Sequence, residues 1–273
     1  MSKTILLTGA SGYLGGYLAK YFSTQGYSII GISRDNKIPL RQIFEENKID
    51  IVIHTATLYG RQGEAATELL RTNVLFPLEI LELASEFSVE MFINTDTILA
   101  KYISVYALTK NQFTDWLSMY SDKIKCVNLG LDHFFGPNDK PIKFVAYLIE
   151  QLKNNVPEIK LTEGLQKRDF IYIDDVVEAY ACIVENIHKL ETAAVHTFEV
   201  GTDVKTSIKE LALLLKSLTQ NTQTTLNFGA IPYRKHEIFD YEVDTQGLKM
   251  LGWTSKVTLR QGLEEVLKQE VLA

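Results

Sequence analysis

Short apolar runs of strand length alternate with stretches of helical period through the first half of the chain, and this alternation limits the possible folds more than any other feature. Ile5-Leu6-Leu7, Ser28–Ile32, Asp50–His54, Met91–Asn94 and Ile124–Leu129 have the nearly unbroken apolar character of strands buried on both faces. Between them Tyr13–Thr24, Glu64–Phe87 and Ser104–Tyr120 repeat apolar residues at three- and four-residue spacing, as helices do. Strands that each return through a helix lie parallel, so the pattern predicts an α/β fold with a Rossmann-like, doubly wound sheet. After Leu129 the alternation loosens, with turns expected at Gly136-Pro137-Asn138 and Asn154–Pro157. Helices are expected to start near an Asp174 cap, after Ser207 and after Thr258. The sheet domain is expected over 1–130, with 168–200 returning to it. Residues 131–167 and 201–273 are expected to form a smaller C-terminal α/β region.

A chain of 273 residues can bury a substantial core without disulfides. Cys126 and Cys182 lie inside apolar runs, away from any partner at ligand spacing, which predicts reduced cysteines and no metal site. The net charge of -6, with acids and bases interspersed, argues against a nucleic-acid surface. Met1-Ser2-Lys3 leads straight into the first strand, and no apolar stretch reaches membrane-spanning length. A soluble, cytoplasmic chain with no membrane partner is expected.

Gly9, Gly12 and Gly15 fall between the first strand and the helix beginning near Tyr13. Glycine there permits a sharp turn and lets backbone N–H groups approach a pyrophosphate at a helix N-terminus. Gly9, Ser11, Gly12, Tyr13, Leu14 and Gly15 are therefore candidate dinucleotide contacts. An acidic residue ending the second strand would favour NAD, but this chain has Ser33 and Arg34, which can donate to and pair with a 2′-phosphate. NADP(H) is the expected cofactor, and Asp35 beside them keeps NAD open.

Tyr106 and Lys110 stand at i and i+4, one turn apart on a common helix face. With 13 tyrosines in the chain, about one such pair arises by chance, so position carries the reading. The pair follows the fourth strand, whose end reads Asn94-Thr95-Asp96-Thr97, and parallel sheets present reactive groups at that edge. A tyrosine can protonate a carbonyl receiving hydride if a cation such as Lys110 lowers its pKa toward neutrality. Lys110 could also hydrogen-bond the nicotinamide ribose, and a threonine hydroxyl could orient the substrate oxygen. Thr97 is preferred for that hydroxyl, with Thr95 the competitor two residues away.

Together Thr8–Gly15, Val52–Ala56, Arg71–Val74, Tyr106–Lys110, Phe135-Gly136-Pro137 and Arg168–Val176 resemble the nucleotide-sugar branch of the extended short-chain dehydrogenases/reductases. The resemblance implies that Thr55, Ala56 and Asn73 lie at the cofactor, and that Asp96, Asn128, His133 and Arg168 contact a nucleotide-sugar substrate, Arg168 at its diphosphate. Asn73 is expected to be a buried amide bracing the strand of Thr95. Thr97 replaces the glutamate of the Thr-Asp-Glu triplet of sugar-nucleotide 4,6-dehydratases and cannot titrate near neutrality. With Ile231-Pro232-Tyr233-Arg234, the chain is similar to the CDP-abequose and CDP-paratose synthase-like reductases, which implies reduction of a 4-keto-deoxy sugar, with Tyr233 and Arg234 at the substrate and Arg234 facing a phosphate.

An NAD-retaining epimerase using the same Tyr106 and Lys110, or a non-catalytic NADP(H) sensor, are the alternatives. Family analogy also implies a homodimer through the helices Glu64–Phe87 and Ser104–Tyr120. His54 is expected to be packed or beside the cofactor, Trp116 and Trp253 to serve packing, and Arg168 otherwise to pair with Asp169 or Asp174. His188, His196 and His236 form no metal pattern.

Overall fold

The computed structural model describes residues 2–234 and 237–271. Its strands, in chain order, are β1 (Thr4–Thr8), β2 (Ser28–Ile32), β3 (Ile51–His54), β4 (Met91–Thr97), β5 (Lys125–Leu131), β6 (His133–Phe135), β7 (Glu158–Leu161), β8 (Lys167–Tyr172), β9 (Val195–Val200), β10 (Lys205–Ser207) and β11 (Thr225–Phe228). The α-helices are α1 (Tyr13–Thr24), α2 (Leu40–Glu46), α3 (Ala66–Leu70), α4 (Phe76–Glu86), α5 (Val105–Tyr120), α6 (Phe144–Lys153), α7 (Ile173–Glu185), α8 (Ile208–Leu218), α9 (Gln246–Leu251) and α10 (Leu259–Val271).

Two compact units divide the chain. The first takes the residues up to Leu131, with Val177–Glu199 and Gln246–Trp253. It holds a six-stranded sheet in the order β2-β1-β3-β4-β5-β9, and the pairings from β2 across to β5 are parallel. The fold class is the one the alternation predicts. The order reverses between β1 and β3, so the crevice beyond the carboxyl ends of these strands lies at the switch point where open α/β sheets bind ligands. Leu6, Val52, Phe92 and Cys126 on the sheet pack with Ile80 and Leu81 of α4 and Phe113 and Leu117 of α5 in one apolar core. Burial pushes the Cys126 thiol up to about 12, as expected of an inert core cysteine.

The stretch Glu64–Phe87, read as one helix, contains a turn of wider pitch, Arg71–Leu75, between α3 and α4. Such π-turns insert one residue into a helix and occur often at functional sites. β4 runs three residues beyond the expected Asn94, to Thr97, because Thr95, Asp96 and Thr97 stay in register with Leu129, Gly130 and Leu131 of β5.

The second unit comprises Asp132–Val176, Val200–Thr245 and the chain from Thr254 on. It carries the three-stranded sheet β10-β8-β6 and the two-stranded ribbon β11-β7. A reciprocal cap starts α8, Ser207 Oγ accepting from Glu210 N at 3.1 Å and Glu210 returning a bond to Ser207 N at 2.8 Å. Residues 168–176 group with this unit, contrary to the expected boundary, because β8 pairs with β10 and β6. Residues 246–253 group with the first unit, where Gly247 lies so close to the Phe198 ring that a Cβ would sit 2.8 Å from it.

Candidate active site

The loop after β1 is shaped by its glycines. Gly9 has φ +69°, and a Cβ there would meet Thr55 Oγ1 at 2.8 Å and Ala56 N at 2.9 Å. A Cβ on Gly15 would fall 2.1 Å from the Gly9 carbonyl oxygen, so the helix can rest on the loop only through glycine. Gly12 caps α1 in extended conformation with no side chain over the first N–H groups, which leaves them for an anion. Ser11 is exposed, Tyr13 half-buried and Leu14 buried. Ser33 follows β2 half-buried, and Arg34 beside it is exposed, with no ion-pair partner among the described residues. This cradle fits a dinucleotide.

Thr8, which the sequence reading passes over, ties the loops after β1 and β3 together. Its fully buried hydroxyl accepts from Thr55 N at 3.2 Å and Ala56 N at 3.3 Å and lies 2.8 Å from His54 Nδ1. Thr55 Oγ1 donates to the Thr8 carbonyl at 2.7 Å. Thr55 and Ala56 thus form the back of the glycine loop. His54 is buried among Phe76, Phe92 and Phe113, and burial, with the Lys110 charge adding, holds its pKa well below the usual histidine range.

Asn73 sits in the π-turn and is fully buried. It accepts from Leu58 N at 2.8 Å and Thr57 Oγ1 at 3.3 Å, and donates to Leu58 O at 2.9 Å and Thr109 Oγ1 at 3.0 Å. It braces the loop after β3 and helix α5, and not the strand of Thr95 as expected, because the wide turn aims it at both.

Ser104 caps α5 by accepting from Ala107 N at 3.1 Å, and the helix then carries Tyr106 in its first turn and Lys110 one turn on. Lys110 is 1% exposed; burial lowers its pKa and Asp96 opposes the shift. Tyr106 stacks tilted on Tyr59, ring centroids 5.1 Å apart, and the Arg61 guanidinium lies 5.1 Å over the other aromatic of that pair. The expectation that Lys110 lowers the phenol toward neutrality is not met. Burial first, then Tyr59 and Asp96, raise Tyr106 above the usual tyrosine range, with Arg61 and a hydrogen bond to Thr57 opposing.

Asp96 and Asn128, expected at the substrate, are each 6% exposed and bonded to one another, Asn128 Nδ2 donating to Asp96 Oδ2 at 2.8 Å. Thr114 Oγ1 also donates to Asp96, at 2.7 Å, and Asn94 donates to Asn128 at 2.7 Å. The alternation of β4 turns Asn94 and Asp96 to one face and Thr95 and Thr97 to the other. Thr97 Oγ1 accepts from Leu99 N at 3.3 Å in a local turn. Thr95 Oγ1 lies 2.5 Å from the hydroxyl of Tyr180 on α7.

In the second unit, Arg168 pairs with Glu237 at 2.5 Å and donates to Ile238 O at 2.8 Å, with its guanidinium over the Tyr241 ring. The alternative partners expected for it, Asp169 and Asp174, are not the ones it takes: Asp169 receives Thr202 Oγ1 at 2.6 Å and Thr202 N at 2.8 Å. His133 Nδ1 lies 2.5 Å from Asp132 Oδ1, with its ring edge-on to Phe170. Tyr233 accepts from Leu165 N at 3.2 Å and packs against Phe239, while Arg234 is exposed. His236 lies outside the described residues. Among the described residues no group of three or more His, Cys, Asp or Glu could hold a metal ion, and no helix is long and apolar enough to cross a membrane. Trp253 is 4% exposed and serves packing, whereas Trp116 is 42% exposed, contrary to expectation.

Tyr180, Thr57, Tyr59, Arg61 and Glu237 escape the sequence reading. Position 180 falls on the apolar stripe of its helix, and nothing in a single sequence relates Glu237 to Arg168.

Comparison with known proteins places this geometry. The model of the NAD dependent epimerase/dehydratase family matches residues 5–201. The CDP-abequose synthase of Salmonella typhimurium is 32% identical over 98% of this chain and 99% of its own length. The dTDP-D-glucose 4,6-dehydratase of Mus musculus is 26% identical over 84% of this chain and 70% of its own. Among solved structures, a UDP-glucose 4-epimerase of Thermotoga maritima with UDP-glucose superposes with a TM-score of 0.86 at 22% identity, covering 99% of this chain and 100% of the other. The parallel sheet, the glycine cradle and the Tyr106–Lys110 helix accordingly have one common explanation: the chain belongs to the NAD dependent epimerase/dehydratase family.

Proposed function

We propose that this protein reduces the 4-keto group of a nucleotide-linked (CDP- or dTDP-) 4-keto-deoxy sugar, with NADPH as hydride donor. The observation that carries the reading is the pairing of Tyr106 and Lys110: a half-buried phenol kept in its acid form, one turn from a buried lysine, is what protonation of a ketone oxygen requires. Similarity to CDP-abequose synthase over nearly the whole of both chains supports a nucleotide-sugar substrate in deoxysugar assembly. Thr97 supplies no carboxyl for elimination of water, which favours reduction over dehydration.

The amides of Ser11, Tyr13, Leu14 and Gly15 would hold the pyrophosphate, with Gly9 and Gly12, whose own amides donate to Ile32 O and Gly9 O, letting it approach the loop closely; Ser33 and Arg34 would hold the 2′-phosphate and Lys110 the ribose, and Asn73 shapes the loop that borders them. When bound, the dinucleotide supplies the hydride. Tyr106 gives its proton to the ketone oxygen, and Thr95, on the face of β4 that it shares with Thr97, orients that oxygen, its hydroxyl in contact with that of Tyr180. Asp96 and Asn128 act beneath the site, Asp96 partly offsetting the lowering of the Lys110 pKa by burial. In the second unit Arg234, Tyr233 and His133 are the substrate contacts. Arg168 joins them at the diphosphate by exchanging Glu237 for a phosphate. A cytoplasmic homodimer completes the proposal.

Incubation with NADPH and CDP-, dTDP- or GDP-linked 4-keto-6-deoxy sugars should consume the reduced cofactor; dinucleotide binding without oxidation by any of them sinks the reading. Arg34→Asp should shift the preference from NADPH toward NADH by about tenfold or more, the scale of one charged contact, and an unchanged ratio of kcat/KM values would remove Arg34 from the site.

A further inference from the structure

Tyr180 is fully buried, and among the described residues its hydroxyl has one polar partner, Thr95 Oγ1 at 2.5 Å. Each group carries one proton. If Thr95 donated, the phenolic proton would be buried with no acceptor, the arrangement that folded proteins avoid. Tyr180 therefore donates, and Thr95 Oγ1 accepts through a lone pair. The Thr95 proton is then left without an acceptor among the described residues, but Thr95 is only half-buried, so this proton, unlike the phenolic one, has space outside the core to turn to. An accepted hydrogen bond polarises the hydroxyl and makes it a stronger donor in turn. Tyr59 links this pair to the acid: its ring stacks on Tyr106, and its phenol acts electrostatically on both Tyr106 and Tyr180.

We propose that Tyr180 is a positioning residue for the reduction: its phenol, donating to Thr95, fixes the hydroxyl rotor so that the Thr95 proton points at the substrate ketone oxygen beside Tyr106. The inference rests on the reductase reading above. Tyr106 alone gives up a proton, the ketone oxygen takes it, and Tyr180 and Thr95 keep theirs throughout. The hydrogen bond from Thr95 strengthens as negative charge gathers on the ketone oxygen, so its effect falls on kcat and hardly on KM.

Tyr180→Phe keeps the ring and tests this. With NADPH and a nucleotide-linked 4-keto sugar, kcat should fall about ten- to a hundredfold, the range for one aimed donor, with KM within about twofold. In a Thr95→Val background the same change should do nothing further, and Thr95→Ser should keep both most of the activity and the sensitivity to Tyr180→Phe. Unchanged kcat, or losses that multiply in the double variant, overturn the positioning role. Should Tyr180→Phe not fold, 4-aminophenylalanine at position 180, a weaker donor in the same place, should lower kcat at constant KM, and an unchanged kcat again overturns it. Wild-type protein that oxidises no NADPH with any such ketone overturns the reductase reading and this role with it; wild-type turnover with independent losses overturns this role alone.

Discussion

Burial and the neighbouring Tyr59 and Asp96 raise the Tyr106 pKa, so the phenol holds its proton across the neutral range. A general acid works below its own pKa and fails above it. The kcat for ketone reduction should therefore stay flat from pH 7 to about 9, and a limb falling near pH 7 that Tyr106→Phe abolishes would contradict this. Tyr106→Phe itself should lower kcat by about a hundredfold or more, measured beside an unchanged unfolding transition. His54 offers a second pH test. Its folded pKa lies well below 6.5, so the unfolded chain takes up the proton first as pH falls. The stability contribution is complete above pH 6.5 and is lost below it, at about 1.4 kcal/mol per pH unit. Denaturant titrations at pH 7.5 and 5.5 should show that slope reduced in His54→Gln. The glycines, Tyr106 and Lys110 were legible because of where they fall, the glycines between the first strand and its helix and the Tyr106–Lys110 pair after the fourth strand. Tyr180 was not, since a tyrosine on the stripe of Val176, Val177 and Val184 reads as core filling until its hydroxyl is seen to meet Thr95. Arg168 stood out through the resemblance carried by Arg168–Val176, but its partner Glu237 lies 69 residues away in sequence.

Among the elements, α1 and the loop before it behave as one piece, since the Gly9 carbonyl occupies the space a side chain at position 15 would need. Gly15→Ala should force them apart, costing about 1–3 kcal/mol by overpacking and weakening dinucleotide binding at the same time. Chemical denaturation and a fluorescence titration with NADPH read the two effects, and full binding with wild-type stability would show that the close approach is dispensable. The strands of the parallel sheet and the helices behind them were legible from apolar period. The π-turn at Arg71–Leu75 was not, because one inserted residue leaves a three- and four-residue rhythm nearly intact while redirecting Asn73 to Leu58 and Thr109. The far end of β4 was hidden for another reason: Thr95-Asp96-Thr97 is polar, and only its register with β5 makes it strand.

For the whole molecule, the fold class was legible from alternation, whereas the division into units was not fully so. β8 follows a loosened stretch of sequence and finds its neighbours in β6 and β10, which no local signal announces. The outer side of the first unit leaves Leu75 47%, Trp116 42% and Met119 70% exposed, next to helices expected to pair in a dimer. Sedimentation should report a dimer for the wild type and a monomer for Trp116→Arg combined with Met119→Glu; a monomeric wild type would refute the proposed assembly. Trp116 and Met119 lie on the same α5 whose first two turns carry Tyr106 and Lys110. In such a dimer one helix would serve both association and turnover, and its order should depend on having a neighbour. Output per cell would then rise more steeply than gene dosage at low abundance, and specific activity measured over a dilution series, falling as the protein is thinned, would display that dependence directly.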